Sequence, residues 1–575
     1  MLKVYRNLKG YIPHICAIVV LIFIQVLTDL YLPTLMSDIV NTGIMKNDVS
    51  FIIHEGGLML GVAGIGIACA ILASLIGSRV SIGLGSILRS KIFRQIERFS
   101  LREFDQFGSS TLVTRTTNDI VQIQTVTVLI INMMLRAPLT AIGGIILAYR
   151  QDSSLTLIFA VALPALVIVV ALIMTRAIPL FKKVQGKLDK INLVLRENLT
   201  GIRVIRAFNR INHEEKRFDT ASNDLTSTYI RVNQIMAFLM PVLMLLMNAM
   251  QIAIIWFGST RVDTGSLNIG ALSAFIQYAS LILINFIMMS MMFIFIPRAQ
   301  AAAERVTEVL EVKPDIVDPE SPQKSVTGNG YLEFRNVSFR YNGAERSALT
   351  GVSFLAKPGE TTAIIGSTGS GKSTLANLIP RFYDVENGEI LIDGVDIRKM
   401  TQENLRSRIG FVPQKAILFT GTIKDNMRYG RENATDEEII HAAQVAQASD
   451  FVGEMKNGYD TLLSEGGLNL SGGQKQRLSI ARALVRRPEI YVFDDSFSAL
   501  DFKTDAKLRA ALSNETENST VLIVAQRVGT VMSADRIIVL DEGTVAGIGK
   551  HEELMKTCEV YREIVSSQLS EEELA

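Results

Sequence analysis

Six windows in the first half of this 575-residue chain are apolar over roughly 20 residues or more, and they restrict that half to helices. A backbone crossing hydrocarbon finds no water, so each N–H and C=O must be met within its own segment. The windows lie near 14–40, 56–78, 125–149, 153–175, 235–260 and 270–297. Past them the chain has ordinary soluble composition. The hydrophobic fraction of 48% is therefore the mean of two unlike halves.

Between windows two and three, and again between four and five, the chain is polar, long and helix-patterned. Residues 79–122 carry seven Lys/Arg (Arg79, Arg89, Lys91, Arg94, Arg98, Arg102, Arg115) and residues 176–231 carry twelve, Lys182, Lys183, Arg203, Arg206 and Arg217 among them. The three short connections on the other side carry one each, Lys46, Arg150 and Arg261. The positive-inside rule places both long segments, and both termini, in the cytoplasm of a cell whose plasma membrane holds the spans. Spans two to five should continue as helices beyond the lipid, each pair ending in a cross-piece near Arg102–Gly108 and Phe208–Arg217. Phe104 and Phe208 are apolar knobs that either dock into another domain, the favoured expectation, or only pack the helical hairpin on itself. The N-terminal MLKVYRNLKGYIPH reads as a short basic amphipathic helix on the inner leaflet.

Polar residues inside the windows are costly and should face a bundle interior or a wet cavity. They are Gln25, Asp29, Asn132, Arg136, Asn248, Gln251, Gln277 and Asn285. Windows five and six hold Met240, Met244, Met247, Met250, Met288, Met289, Met291 and Met292, adaptable side chains that suit either ordinary packing or a wall accepting varied apolar shapes. Cys16, Cys69 and Cys558 lie far apart and form neither a disulfide framework nor a metal site. A net charge of +1 argues against nucleic acid as a partner.

The resulting organisation is a six-span domain over 1–311, a Pro/Asp/Ser/Gly-rich linker over 312–330 and an α/β domain with a largely parallel sheet over 331–575. In that domain Thr361–Ile365 reads as a strand leading into Gly366-Ser367-Thr368-Gly369-Ser370-Gly371-Lys372-Ser373-Thr374, a full phosphate-binding loop with a helix after it. Its glycines let backbone N–H groups surround a β-phosphate, Lys372 reaches the β- and γ-phosphates, and the Ser373 hydroxyl suits Mg²⁺. Ile490–Phe493 reads as a buried strand ending in Asp494 and Asp495, where a carboxylate suits Mg²⁺. Ser471-Gly472-Gly473-Gln474 opens a basic helix with free amides and a hydroxyl, as a phosphate requires. Gln414 can ligate Mg²⁺ through its amide oxygen or stand as a surface loop residue, and Glu465-Gly466-Gly467 can sense the cross-pieces or form a plain turn. Tyr341 can stack on a purine, a weak signal by itself. Glu571–Glu573 reads as a solvated helix end.

Together the loop 366–373, the Gln414 loop, LSGGQ at 470–474, the strand 490–494 and the turn Ser498-Ala499-Leu500-Asp501 resemble the ATP-binding cassette family. With six spans ahead of them, the chain resembles a half-size ABC exporter over essentially its whole length. The resemblance implies two halves facing head to tail, with ATP and Mg²⁺ between the Walker A loop of one chain and the LSGGQ of the other. It assigns Tyr341 to adenine stacking, the cross-pieces to the family's coupling helices, and Asp501, with the loop 366–374 and Ser471–Gln474, to nucleotide binding.

Two positions depart from the family pattern. Asp495 stands where most active members have glutamate, and Gln526 stands where they have a switch histidine. Aspartate is one methylene shorter and withdraws its carboxylate by roughly 1 Å, a misplacement that can cost about a hundredfold in rate. Gln526 can hydrogen-bond a γ-phosphate but carries no imidazolium charge. Both departures imply a site that binds ATP well and hydrolyses it poorly, whereas the intact LSGGQ can serve a competent site on a partner. That asymmetry resembles the subunit with the non-consensus Walker B in heterodimeric bacterial multidrug exporters, as do Asp29–Gly43 and Arg136-Ala137-Pro138. The implied partner is a homologous chain with a Walker B glutamate, and the implied cargo is hydrophobic small molecules. A lipid or peptide cargo, a non-transporting ATP-gated regulator or channel, and a homodimeric slow pump are the alternatives.

Overall fold

The computed structural model describes residues 1–292, 295–323, 328 and 330–568. Glu571–Glu573 lie outside the described residues. The chain divides into two compact units, Met1–Glu97 with Ser109–Val312, and Arg98–Gly108 with Lys313–Ala575.

In the first unit six helical stretches are long and apolar enough to cross a membrane: Lys3–Ile44, Val49–Ile96, Ser109–Gln151, Ser153–Ala207, Ile211–Asp263 and Ile269–Met289. Each expected window overlaps one of them, although the sixth window reached 297. The helix Ile269–Met292 ends before that, and Ile296–Glu311 begins a new helix with proline in its first turn. The helices Val49–Ile96 and Ser153–Ala207 have 48 and 55 residues. At 1.5 Å per residue they extend about 72 and 82 Å, more than twice the hydrocarbon thickness of about 30 Å.

Carboxylates fix where these helices start. Asp48 Oδ1 accepts from the Phe51 amide at 3.0 Å. Asp152 Oδ1 accepts from the amides of Ser154 and Leu155, while its Oδ2 takes Arg261 Nε at 2.7 Å. The N-terminal segment is a four-residue helix, Leu2–Tyr5, followed by a 3₁₀ stretch, Arg6–Tyr11, rather than one amphipathic helix. Val4 is buried, and Lys3 pairs with Glu311 at 2.6 Å.

Within the spans the most expensive polar groups meet: Arg136 Nη2 donates to Asp29 Oδ2 at 3.0 Å. Gln251 donates to Ser280 at 3.2 Å, and Asn285 to the carbonyl of Leu281. Thr34 and the fully buried Tyr278 share a 2.7 Å hydrogen bond. Of the methionines, Met250 is buried in this chain whereas Met240, Met244 and Met288 are exposed.

The two cross-pieces differ. Leu101–Phe107 is a helix with a capping box, Ser100 and Glu103, and it clusters with the second unit. There Arg102 pairs with Asp315, and Tyr383 OH donates to Asp105 Oδ2 at 3.3 Å. Phe104 packs edge-on against Phe99, and Phe107 stacks on the same ring. The second forms no separate helix. Ser153–Ala207 turns at Asn209, φ +51°, directly into Ile211–Ala237, and Phe208 at the bend is 74% exposed.

The second unit is built on a six-stranded sheet ordered Thr544–Gly549, Arg536–Asp541, Thr361–Gly366, Thr520–Val524, Ile490–Asp494 and Ile409–Val412. All neighbours are parallel except the first pair. The central strands read as unbroken apolar runs because both faces are covered; every residue of Ile490–Asp494 and Thr520–Val524 is buried. A four-stranded antiparallel sheet, Leu349–Ala356, Leu332–Phe339, Asn387–Ile392 and Val395–Asp396, packs a second apolar cluster that includes Phe334, Phe354 and Leu375.

Candidate functional site

Four adjacent parallel strands end on the same side, and each delivers candidate site residues at or just past its carboxyl end. Gly366 closes the first, Ala525–Gln526 come after the next, Asp494 and Asp495 end the third, and Pro413–Gln414 come after the fourth. Ligands of open parallel sheets bind beyond such carboxyl ends. The Asp495 amide bonds to the Val524 carbonyl at 2.9 Å, and Ala525 N to Ile364 O at 3.1 Å, so the turns are held in step.

The loop from Gly366 to Gly371 needs its glycines. A Cβ on Gly366 would sit 2.2 Å from the Leu540 carbonyl oxygen, and one on Gly371, at φ +97°, would sit 2.7 Å from that of Ala348. Gly369 also lies at positive φ, +86°. Ser367 and Thr368 form the exposed tip and Ser370 is buried. Lys372, at the start of the helix Lys372–Leu378, is buried, and its Nζ donates to the carbonyls of Gly366 at 2.8 Å and Ser367 at 2.7 Å. Burial lowers its pKa, against the raising influence of Asp495 and Asp494. Thr374 shares a 3.1 Å hydrogen bond with Tyr341 OH, and the Tyr341 ring meets Phe339 and Tyr383 edge-on.

Ser373 Oγ donates to Asp494 Oδ1 at 3.0 Å. Burial, and then the charge of Asp495, push the Asp494 carboxyl above its usual range, with the Ser373 hydrogen bond and Lys372 acting the other way. A hydroxyl and one carboxylate are the hard oxygen donors Mg²⁺ takes from protein when phosphates and water complete its shell. Among the described residues no cluster of three His/Cys/Asp/Glu side chains could hold a metal by itself. The donor set therefore fits Mg²⁺ brought in with a nucleotide.

Asp495, buried and in the left-handed region at φ +48°, receives two side-chain amides on the same oxygen. Gln414 Nε2 lies 3.0 Å and Gln526 Nε2 3.1 Å from Oδ2. Aspartate is among the few non-glycine types that tolerate this backbone. Gln414 thus meets Asp495 rather than Asp494 or Ser373, through its Nε2 and not its Oε1. Sequence reasoning named all three side chains without foreseeing that they bond to one another.

The LSGGQ stretch keeps to itself. Ser471 caps the helix Gly472–Arg486 in a reciprocal box, with Gln474 N donating to Ser471 Oγ at 3.3 Å and Ser471 N to Gln474 Oε1 at 2.9 Å. Gly472 is exposed and Gly473 half-buried, so this helix start faces outward. The arginines behind it bind backbone carbonyls: Arg477 that of Gln447, Arg482 that of Ile417, Arg486 those of Gly430 and Arg406. Asp501 caps the helix Phe502–Glu515 through the Thr504 amide at 2.9 Å, a bond that lowers its pKa. Glu465–Gly467 is a 3₁₀ turn with Gly466 and Gly467 at positive φ.

Comparison with known proteins covers both halves. Residues 15–287 match the family described as "ABC transporter transmembrane region", and residues 349–498 the family described as "ABC transporter". An uncharacterized ABC transporter ATP-binding protein of Mycobacterium tuberculosis is 42% identical over 98% of this chain and 97% of its own length. YfiB of Bacillus subtilis, described in the same words, is 41% identical over 100% and 99%. An ATP-dependent lipid A-core flippase of Syntrophus aciditrophicus is 32% identical over 88% and 83%. The solved structure of a bacterial Atm1-family ABC exporter with ATP bound superposes with a TM-score of 0.83 at 26% identity, over 97% of this chain and 98% of that one.

Proposed function

We propose, on the premise that this chain belongs to the ABC transporter family and is a half-size exporter, that it is the ATP-retaining half of a heterodimer. The cargo is amphipathic or hydrophobic small molecules, exported across a bacterial cytoplasmic membrane. The domains are 1–311, the linker 312–330 and 331–575, and the Lys/Arg excess of the long helical segments puts the nucleotide domain and both termini in the cytoplasm.

One observation carries the reading: the carboxylate after the buried strand is an aspartate whose Oδ2 is tied by the amides of Gln414 and Gln526. A general base must come within hydrogen-bond reach of the attacking water. Asp495 is a methylene short of that reach, and its Oδ2 is held by two amides. Gly366–Gly371, with Ser367, Thr368, Gly369 and Ser370, wraps the phosphates, Lys372 and Thr374 contact them, and Tyr341 stacks on the base. Ser373 and Asp494, with Gln414 alongside, hold Mg²⁺, which offsets phosphate charge when bound. Ser471–Gln474 and Asp501 serve the competent site of a homologous partner that has the Walker B glutamate.

Closure of two nucleotide domains on ATP draws the cross-pieces together and turns the cavity from the cytoplasm to the outside. Hydrolysis at the partner's site resets it, while retained ATP at this chain keeps binding energy between cycles. The test is purification with the neighbouring homologous chain, followed by trapping of labelled ATP. Label retained mainly on this chain is expected. A chain that pairs with itself and turns ATP over at an ordinary pump's rate would refute the reading. A lipid cargo is the second reading, favoured by the identity with the lipid A-core flippase; substrate-stimulated ATPase with dyes against lipids separates the two.

A further inference from the structure

The segment after Val524 carries Gln526, and its backbone is gripped by a side chain from the far end of the chain. Gln568 Nε2 donates to the Gln526 carbonyl at 2.8 Å, and Gln568 Oε1 accepts from the Val528 amide at 2.8 Å. One amide group thus reads both a donor and an acceptor of the same turn, two residues apart, as a neighbouring strand would. Val528 begins the helix Val528–Val531, where Arg527 supplies no side-chain cap, so its N–H has no acceptor within the helix. The turn is also anchored by the Ala525 amide on Ile364, by Arg527 Nη1 on the Leu500 carbonyl at 3.4 Å and by the Arg527 guanidinium over the Phe502 ring.

Gln568 is itself held in place. It lies just past the helix Glu559–Ser566, whose Tyr561 and Val565 are fully buried, and its own amide bonds to the Val565 carbonyl at 3.0 Å. Tyr561 OH also shares a 2.8 Å hydrogen bond with His551 Nδ1. Glu559–Gln568 is thereby tied into the sheet's core, and the tie reaches Gln526, whose side chain lies on Asp495 Oδ2.

We infer that Gln568 is a positioning residue for the switch segment: it fixes the backbone of residues 526–528, so that Gln526 stays on Asp495 and on the face where a γ-phosphate would lie. Its consequence for nucleotide rests on the reading of the site as an ATP-retaining one; the backbone clip does not.

The test uses the full-length transporter as purified from membranes, with any second chain that accompanies it. Hydrogen exchange at Val528, with 521–524 as internal control, is compared between the native chain, Gln568→Ala and Gln568→Glu, together with the lifetime of trapped Mg·ATP. In Gln568→Ala, Val528 should exchange about fivefold faster or more, and trapped nucleotide should leave about fivefold sooner, each reflecting the loss of an ordinary hydrogen bond. Gln568→Glu keeps the acceptor but presents a carboxylate to the Gln526 carbonyl. It should therefore protect Val528 like the native chain yet release nucleotide like Gln568→Ala. Unchanged Val528 exchange in Gln568→Ala overturns the clip, and native lifetimes in both variants overturn its role. If the native chain itself retains no nucleotide, the ATP-retaining reading fails while the exchange pattern still decides the clip.

Discussion

Ser373 and Asp494 stand 3.0 Å apart with the hydroxyl donating to Oδ1, so a hydroxyl and a buried carboxylate that suit one cation are already in register. The carboxylate is destabilised there. Burial raises its pKa in the folded chain above the unfolded value, which means folding favours the neutral acid. Its relative stability is greatest below the unfolded value of about 4 and is lost as pH rises through the folded one.

Asp494→Asn should therefore stabilise the nucleotide-free protein at pH about 7.5, by roughly 2–4 °C in Tm for a change of about 1 kcal/mol, with the difference fading as pH approaches about 4. Asn keeps an acceptor for Ser373. With Mg·ATP the order should reverse, because only the native carboxylate gains a cation. Thermal denaturation with and without Mg·ATP checks both; an Asn variant less stable in every condition contradicts the electrostatic account.

Asp495 and Gln526 should act as a pair. Asp495→Glu combined with Gln526→His adds the missing methylene and removes one of the amides on Oδ2. Turnover at this chain's site should rise about tenfold or more when the partner's site is silenced, recovering part of a factor of about a hundred. Asp495→Glu alone should give less, since Gln526 still binds the carboxylate. Phosphate release by the three forms decides the matter, and no gain in the double variant would mean that the shorter side chain does not limit the rate.

Much of this site was legible because each motif is local. The loop 366–374, the buried strand before Asp494 and the capping box at Ser471 are contiguous stretches whose chemistry fixes their geometry. The spans were legible for the same reason, as were the long helices between them. What escaped are relationships across the chain. Gln414 and Gln526, on two different loops, share one oxygen of Asp495, and Gln568 grips residues 526 and 528 from a terminal turn. No periodicity encodes such pairings. The bend at Phe208 is not legible because the polar run FNRINHEEKR is as good a helix start as a cross-piece, and Asn209 in the left-handed region reverses the chain in three residues.

The ion pair inside the spans gives a third prediction. Arg136→Leu deprives Asp29 of its 3.0 Å partner in an apolar setting and should cost about 1–3 kcal/mol, less than for a fully buried pair because both side chains are partly accessible. Asp29→Asn with Arg136→Gln removes both charges and should recover most of that loss. Thermal unfolding in detergent or nanodiscs distinguishes this from a simple packing role, for which the double variant would be no better than the single.

Tyr383 supplies the last test, of how nucleotide is felt by the membrane half. Its hydroxyl donates to Asp105 on the helix Leu101–Phe107, and its ring meets Tyr341 edge-on with centroids 5.5 Å apart. Burial first, and then the charge of Asp105, raise the phenol's pKa, so it remains a protonated donor throughout the physiological range. Tyr383→Phe keeps the ring packing against Tyr341 and removes only the bond to the cross-piece. ATP affinity should stay within about twofold, while stimulation of ATPase by transported compound falls about threefold or more, as expected from the loss of one hydrogen bond to a charged acceptor. Nucleotide binding and stimulated turnover, measured on the same preparation, separate the two effects. If affinity and stimulation fell together, Tyr383 would belong to the adenine pocket alone and the cross-piece would take its signal from elsewhere.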